Sequence, residues 1–289
     1  MREITRVGIA GCGLMGSGIA EVCARGGLDV VVREIDDGAG AAGRARIEGS
    51  LARAVRAGKL DPEDRDAALA RIRVTTDLAD LADRELIIEA ATENPAVKAA
   101  LFAELDRVAA DPDVILATNT SSIPIVQVAR ATTRPERVVG LHFFNPVPVQ
   151  RLVEVIPSVL TSAQAVLGVT DLVTKALGKT VIKAPDRSGF VVNALLVPFL
   201  LSAIRMLEAG YASAEDIDQG MVLGCAHPMG PLRLSDLIGL DTLKAVADSM
   251  YEEYKEPLYA APPLLRRMTD AGLLGRKSGR GFYDYEAQS

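Results

Sequence analysis

The residues best suited to move a proton are His142 and Glu154. The chain has two histidines, His142 and His227, so each imidazole counts. His142 opens the run His142-Phe143-Phe144-Asn145-Pro146 directly after the apolar stretch Val138–Leu141. Glu154 follows 12 residues later, inside a second strand-like run, Leu152–Val155. A carboxylate bonded to one ring nitrogen fixes the tautomer and stabilises the imidazolium. The other nitrogen is then free to exchange a proton with a hydroxyl. A histidine near its ordinary pKa can do this in both directions. The plainer alternatives are a structural histidine and a sheet-edge or surface acid, and spacing alone does not decide between them. Ser121, within Asn119-Thr120-Ser121-Ser122, also follows a strand-like run, Val114–Ala117. Ligands of open parallel sheets bind outside the carboxyl ends of the strands, so Ser121 is expected to face a cleft. Capping the helix near Pro124 is the competing use, for which Ser122 is suited. Asn193 interrupts an apolar segment, where its amide needs partners or bonds neighbouring backbone. His227-Pro228-Met229-Gly230-Pro231 reads as a turn between two helices.

Gly11-Cys12-Gly13-Leu14-Met15-Gly16 matches G-x-G-x-x-G, after a strand pattern and before a helix. The first glycine permits the tight turn. The second lets backbone approach a pyrophosphate, and the third lets helix and strand pack closely. Helix N–H groups can then meet phosphates. Glu34 lies 18 residues after Gly16, at the end of the next strand. An acid there can bond both ribose hydroxyls and repels a 2′-phosphate, which favours NAD. Arg33 beside it could instead accommodate NADP. The competing reading is a glycine-rich turn with no ligand.

These residues need strand ends to hold them. Strand-like runs occur at Val7–Ala10, Val30–Arg33, Arg73–Thr75, Leu86–Glu89, Val114–Ala117, Val138–Leu141, Leu152–Val155 and Thr180–Ile182. Helical patterns intervene over about Ser17–Arg25, Ala41–Ala57, from Asp61-Pro62-Glu63, Ala96–Ala109 and Ser162–Leu177. Strands alternating with helices predict an α/β, doubly wound, mostly parallel sheet covered on both faces. From Gly189 to Ala271 only helical periods appear. A boundary near residue 185 follows, with domains 1–184 and 185–289. The chain has 289 residues, 49% apolar and 24% charged, enough for a sizeable core. Its net charge of −6 and 4% aromatics argue against nucleic acid. Cys12, Cys23 and Cys225 show no paired spacing, so no metal site or disulfide framework is expected. Val7–Ala20 holds five glycines and is not read as a secretion signal. The uncharged stretch Ser188–Ile204 carries Asn193 and Pro198 and reads as a buried core helix rather than a membrane span. A cytoplasmic protein is expected.

With these residues set out, the chain closely resembles the L-3-hydroxyacyl-CoA dehydrogenase family, including its short bacterial 3-hydroxybutyryl-CoA members. The matching segments are Gly11–Ala20, Ala117–Ile123, Gly140–Pro148, Leu152–Val155, Ser188–Leu195, His227–Leu232, Gly239–Thr242 and Lys277–Tyr283. They keep family order across nearly the whole chain. The resemblance implies a Rossmann-like domain with a helical pair inserted after the second strand, then an all-helical C-terminal domain that binds substrate and forms a homodimer. It implies a catalytic set of His142, Glu154, Ser121 and Asn193. Gly11, Gly13, Leu14, Met15, Gly16, Glu34, Glu93, Lys98, Ser121, Asn145 and Lys277 would bind NAD. Ser50 would contact CoA. The family's lysine one to two turns on falls at Ala57 without a gap, with Arg56 and Lys59 flanking it; Lys59 is taken as the contact. Aspartate is the commoner acid where Glu34 stands. The implied activity is reversible oxidation of a 3-hydroxyacyl-CoA, a step of fatty acid metabolism among other routes. A dehydrogenase of a free hydroxy or sugar acid such as gulonate, and a non-enzymatic dinucleotide-binding protein, are the rival readings.

Overall fold

A computed structural model describes residues 3–285. The chain divides into two compact units between Arg187 and Ser188.

The first unit is built on one eight-stranded sheet. Its strands are β1 (Arg6–Ala10), β2 (Asp29–Arg33), β3 (Ile72–Thr75), β4 (Leu86–Glu89), β5 (Ile115–Thr118), β6 (Val138–Phe143), β7 (Leu152–Pro157) and β8 (Thr180–Lys183). They lie in the order β3-β2-β1-β4-β5-β6-β7-β8. All neighbours are parallel except β6 and β7. The central strands read as unbroken apolar runs because both faces are covered. All of β4, β5 and β6 is buried. Val7, Ile9, Val32, Ile88, Leu141 and Val155 belong to one core cluster with helix residues Ile19, Ile47 and Val169.

The helices of this unit are α1 (Leu14–Arg25), α2 (Asp37–Arg56), α3 (Pro62–Ala70), α4 (Pro95–Val108), α5 (Ile125–Ala129) and α6 (Ala163–Asp171). Helix α1 begins three residues before the expected Ser17, so Leu14, Met15 and Gly16 form its first turn. The helical pair α2 and α3 follows β2, as the resemblance implies. Asp36 caps α2 by accepting from the Ala39 N–H at 2.7 Å. Gly43 lets α2 press onto the glycine loop, since a Cβ there would stand 2.5 Å from the Cys12 Sγ.

The second unit is helical: α7 (Val192–Glu208), α8 (Ala214–Cys225), α9 (Pro231–Ile238), α10 (Leu240–Tyr254) and α11 (Pro263–Asp270). Leu200, Leu201, Ile204, Leu240, Ala247 and Leu265 form its core. The expected buried core helix over 188–204 supplies core residues, with two differences. It starts at Val192, and one face is open, with Leu195 74% exposed. The reason is its amphipathic order, which gives it one core stripe. Two buried acids explain the C-terminal motif. Asp218 accepts from the Leu232 and Arg233 N–H groups that start α9, and from the Tyr283 hydroxyl at 2.8 Å. Asp236 accepts from the N–H groups of Phe282 and Tyr283. Among the described residues no helix is long and apolar enough to cross a membrane.

Candidate active site

Strand β6 carries His142 at its carboxyl end, and the antiparallel return of β7 sets Glu154 directly opposite. The two side chains share one face of the sheet, and the His142 Nδ1 lies 2.7 Å from the Glu154 Oε2. Both are buried, His142 at 4% exposure and Glu154 at 0%. An ionised carboxylate can only accept, so with Glu154 charged the proton sits on Nδ1. The Nε2 then faces outward, 3.1 Å from the Ser121 Oγ. Phe144 stands edge-on to the imidazole at 4.6 Å and limits its rotation. The three residues form a line from carboxylate through imidazole to hydroxyl, arranged to take up or deliver one proton.

Ser121 is held by the turn that follows β5. Asn119 accepts from the Phe143 N–H at 2.9 Å, which ties the end of β5 to the end of β6. Glu93 accepts from the Ser121 N–H at 2.8 Å and from the Thr120 hydroxyl. Lys98 lies beneath, 1% exposed, 2.7 Å from both oxygens of Glu89 and 3.4 Å from Glu93. Glu89 also accepts from the Thr118 hydroxyl and the Ala91 N–H, each at 2.7 Å. The expected cap at Ser122 is corrected. Ser122 donates to Glu93, while Asp186 accepts from the Ile125 and Val126 N–H groups at 2.6 and 2.9 Å. A carboxylate meets two helix N–H groups at once and favours the positive helix end, which a hydroxyl cannot match.

The glycine loop lies at the carboxyl end of β1, three strands from His142, or roughly 14 Å along the sheet edge. Gly11 has φ +101°, and a Cβ there would fall 2.8 Å from the Ala90 carbonyl oxygen. A Cβ on Gly16 would collide with the Gly11 carbonyl at 1.9 Å. Around Gly13 nothing lies within 4 Å, so this glycine answers no packing need of the protein. It leaves the first N–H groups of α1 open to an anion, and the loop fits a pyrophosphate. Glu34 accepts from the Cys12 N–H of the loop. The Arg33 Nε lies 3.4 Å from the Thr76 carbonyl oxygen. Cys12 is buried, which pushes its thiol up to about 11 and leaves it unreactive.

Asn145 is exposed on the segment after β6. Lys179 braces that segment, its Nζ donating to the carbonyls of Val147 and Gln150 at 2.7 and 2.6 Å. Ser50 on α2 lines a groove with Leu14, Glu21, Arg53 and Pro146. Lys59 lies in a different concavity, with Arg25 and Asp61. Asn193 and Lys277 belong to the second unit. Asn193 stands half-buried in the first turn of α7, and the Lys277 Nζ donates to Asp241 at 2.6 Å. His227 occupies the turn between α8 and α9, tilted against Phe199.

The structure adds four groups that the sequence reading lacks: Glu89, Lys179, Glu21 and Arg53. Glu89 carried a signal, a charge closing the apolar run Leu-Ile-Ile. Arg53 sits one turn beyond Ser50 on the same helix face. Lys179 and Glu21 carried none.

Known proteins resemble this chain along nearly its whole length. The family model for the NAD binding domain of 3-hydroxyacyl-CoA dehydrogenase matches residues 6–187, and the model for that family's C-terminal domain matches residues 189–285. A 3-hydroxybutyryl-CoA dehydrogenase of Mycobacterium tuberculosis is 61% identical over 282 residues, covering 98% of this chain and 99% of that protein. The crystal structure of M. tuberculosis FadB2 superposes with a TM-score of 0.97 at 60% identity, covering 98% of this chain and 100% of the other. That of (S)-3-hydroxybutyryl-CoA dehydrogenase PaaH1 from Ralstonia eutropha gives 0.92 at 46% identity, covering 98% and 99%. The chain therefore belongs to the 3-hydroxyacyl-CoA dehydrogenase family.

Proposed function

We propose that this protein is an NAD-dependent 3-hydroxyacyl-CoA dehydrogenase acting on 3-hydroxybutyryl-CoA. It interconverts an (S)-3-hydroxyacyl-CoA and the 3-ketoacyl-CoA. The observation that carries the reading is the Glu154–His142–Ser121 line at the same sheet edge as the glycine loop.

Bound NAD would supply the two-electron chemistry, as acceptor or donor of the hydride at C3. The protein supplies alignment and the proton. In the oxidative direction the His142 Nε2 takes the proton of the 3-hydroxyl as the C3–H bond breaks and the C3–O bond becomes a carbonyl. Glu154 stabilises the imidazolium that results. In reverse, the imidazolium returns the proton to the oxygen of the ketone. Ser121 and Asn193 orient that oxygen. Gly11, Gly13, Leu14, Met15, Gly16, Glu34, Glu93, Lys98, Ser121, Asn145 and Lys277 would hold the cofactor. Ser50 and Lys59 contact the CoA. Glu34 repels a 2′-phosphate while Arg33 faces the Thr76 carbonyl, which supports NAD over NADP. The helical unit binds substrate and forms a homodimer; the exposed Leu195 and Leu223, 74% and 80% accessible, support an apolar contact there. The enzyme works in the cytoplasm.

The test follows the near-ultraviolet absorbance of the reduced nicotinamide with acetoacetyl-CoA, comparing NADH with NADPH and the thioester with free acetoacetate. Rapid oxidation of NADH with the thioester, at least about tenfold faster than NADPH, is expected, since one unpaired charge contact is worth that much. Faster turnover of the free acid would overturn the reading.

A further inference from the structure

One buried acid in the first unit has no part in the proton path or in the hold on Ser121. Glu21 lies on α1 at 1% exposure. Its Oε1 is 3.4 Å from the Arg25 Nη1, and its Oε2 has no hydrogen-bond partner among the described residues. A buried acceptor without a donor is retained at a cost to stability, so its persistence asks for a ligand that supplies one. The side chain lines a groove of about 190 Å³ between α1, α2 and the segment 145–148.

Sequence spacing builds that groove. Leu14, Ser17, Gly18 and Glu21 fall on one face of α1, at i, i+3, i+4 and i+7. The glycine at 18 lets Val147 approach, since a Cβ there would stand 2.8 Å from the Val147 Cβ. Arg46, Ser50 and Arg53 share the facing side of α2. Leu14, Pro146, Val147 and Pro148 give apolar walls. Glu21 is thus an acceptor in an apolar trough, with two exposed guanidinium groups along its rim. A bare phosphate beside Glu21 would meet a carboxylate, so the anion belongs at the arginines and a neutral donor at Glu21. An acyl-CoA has this order of chemistry: an aliphatic arm with secondary amides, ending in phosphates. Burial pushes the Glu21 carboxyl above the usual carboxylate range, and Arg25 beside it partly offsets that.

We propose that Glu21 is a specificity-determining residue that accepts a hydrogen bond from an amide N–H of the substrate's pantetheine arm. This rests on the reading of the substrate as a CoA thioester. It assigns a contact to a side chain that contributes nothing to hydride or proton transfer, so its effect falls on KM rather than on kcat.

The experiment compares wild type, Glu21→Leu and Glu21→Gln with two substrates, acetoacetyl-CoA and the amide-free ethyl thioester of acetoacetate. Glu21→Leu is expected to raise KM for acetoacetyl-CoA by about tenfold, the usual scale for a lost buried hydrogen bond. Its KM for the ethyl thioester should stay at the wild-type value. Glu21→Gln keeps an acceptor oxygen and should recover most of the loss. The inference is overturned if Glu21→Leu keeps the wild-type KM for acetoacetyl-CoA, or raises KM equally for both thioesters. Should Glu21→Leu fail to fold, Glu21→Ala is read by the same criteria. A wild type that turns over the thioester while Glu21→Leu matches it sinks this inference alone. A wild type inert toward acetoacetyl-CoA overturns the dehydrogenase reading and this inference with it.

Discussion

The role proposed for His142 rests on two contacts. Glu154 fixes the ring on one side, and the Ser121 hydroxyl marks where a substrate oxygen can meet it on the other. These three residues were legible in the sequence because each follows or sits within a short apolar run, where strand ends expose ligand-facing groups. The bonds that hold them were not. Asn119, Glu93 and Glu89 act through partners as many as 29 positions away, and local spacing says nothing about such pairs. Glu21 was invisible for the same reason. Its environment still makes a claim that ligand-free protein can test. A carboxyl whose pKa is raised by burial in the folded state contributes stability that is fully present below its unfolded value. That contribution is lost as pH rises through the folded value. Glu21→Gln has no such dependence. The variant should therefore gain on wild type in melting temperature as pH rises above about 4.3, the ordinary glutamate value. A gap that does not widen between acid and neutral pH would contradict the buried, charge-averse carboxyl.

At the scale of elements, the decisive feature is the return of the chain from β6 to β7. A parallel crossover there would need a dozen or more residues, but only the eight from 144 to 151 are available, so the strands run antiparallel and 142 meets 154. The eight strands and the helical pair after β2 were readable from apolar runs and cap residues. Helix starts were less so: α1 was expected at Ser17 and begins at Leu14. Glycine is a poor helix former, and tertiary packing against β1 overrides that preference. The link from β4 to the 119–122 turn runs through Glu89 and Lys98. Their side chains are 0% and 2% exposed, and breaking such a pair leaves an uncompensated buried charge. Glu89→Gln should destabilise the protein by about 3 kcal/mol in chemical denaturation. A loss below about 1 kcal/mol would mean that Glu93 alone satisfies Lys98, and that Glu89 does not brace the turn.

At the scale of the whole molecule, each of the two units carries its own core. The first contains the glycine loop and the proton path. The second carries Asn193 in the first turn of α7, and Lys277. The change from alternating strands and helices to helices alone was visible in sequence. The roles of Asp218 and Asp236 in anchoring the final segment were not, since they depend on contacts made only after folding. The central claim, that His142 moves the proton in a thioester dehydrogenase, is tested most directly by one pair of proteins. Wild type and His142→Gln are compared for turnover of acetoacetyl-CoA with NADH, and for NADH binding by fluorescence. We expect kcat to fall by about 10²- to 10⁴-fold, the usual worth of a positioned general acid, with NADH affinity retained. Turnover within a few-fold of wild type, or an equal loss of NADH binding, would contradict it.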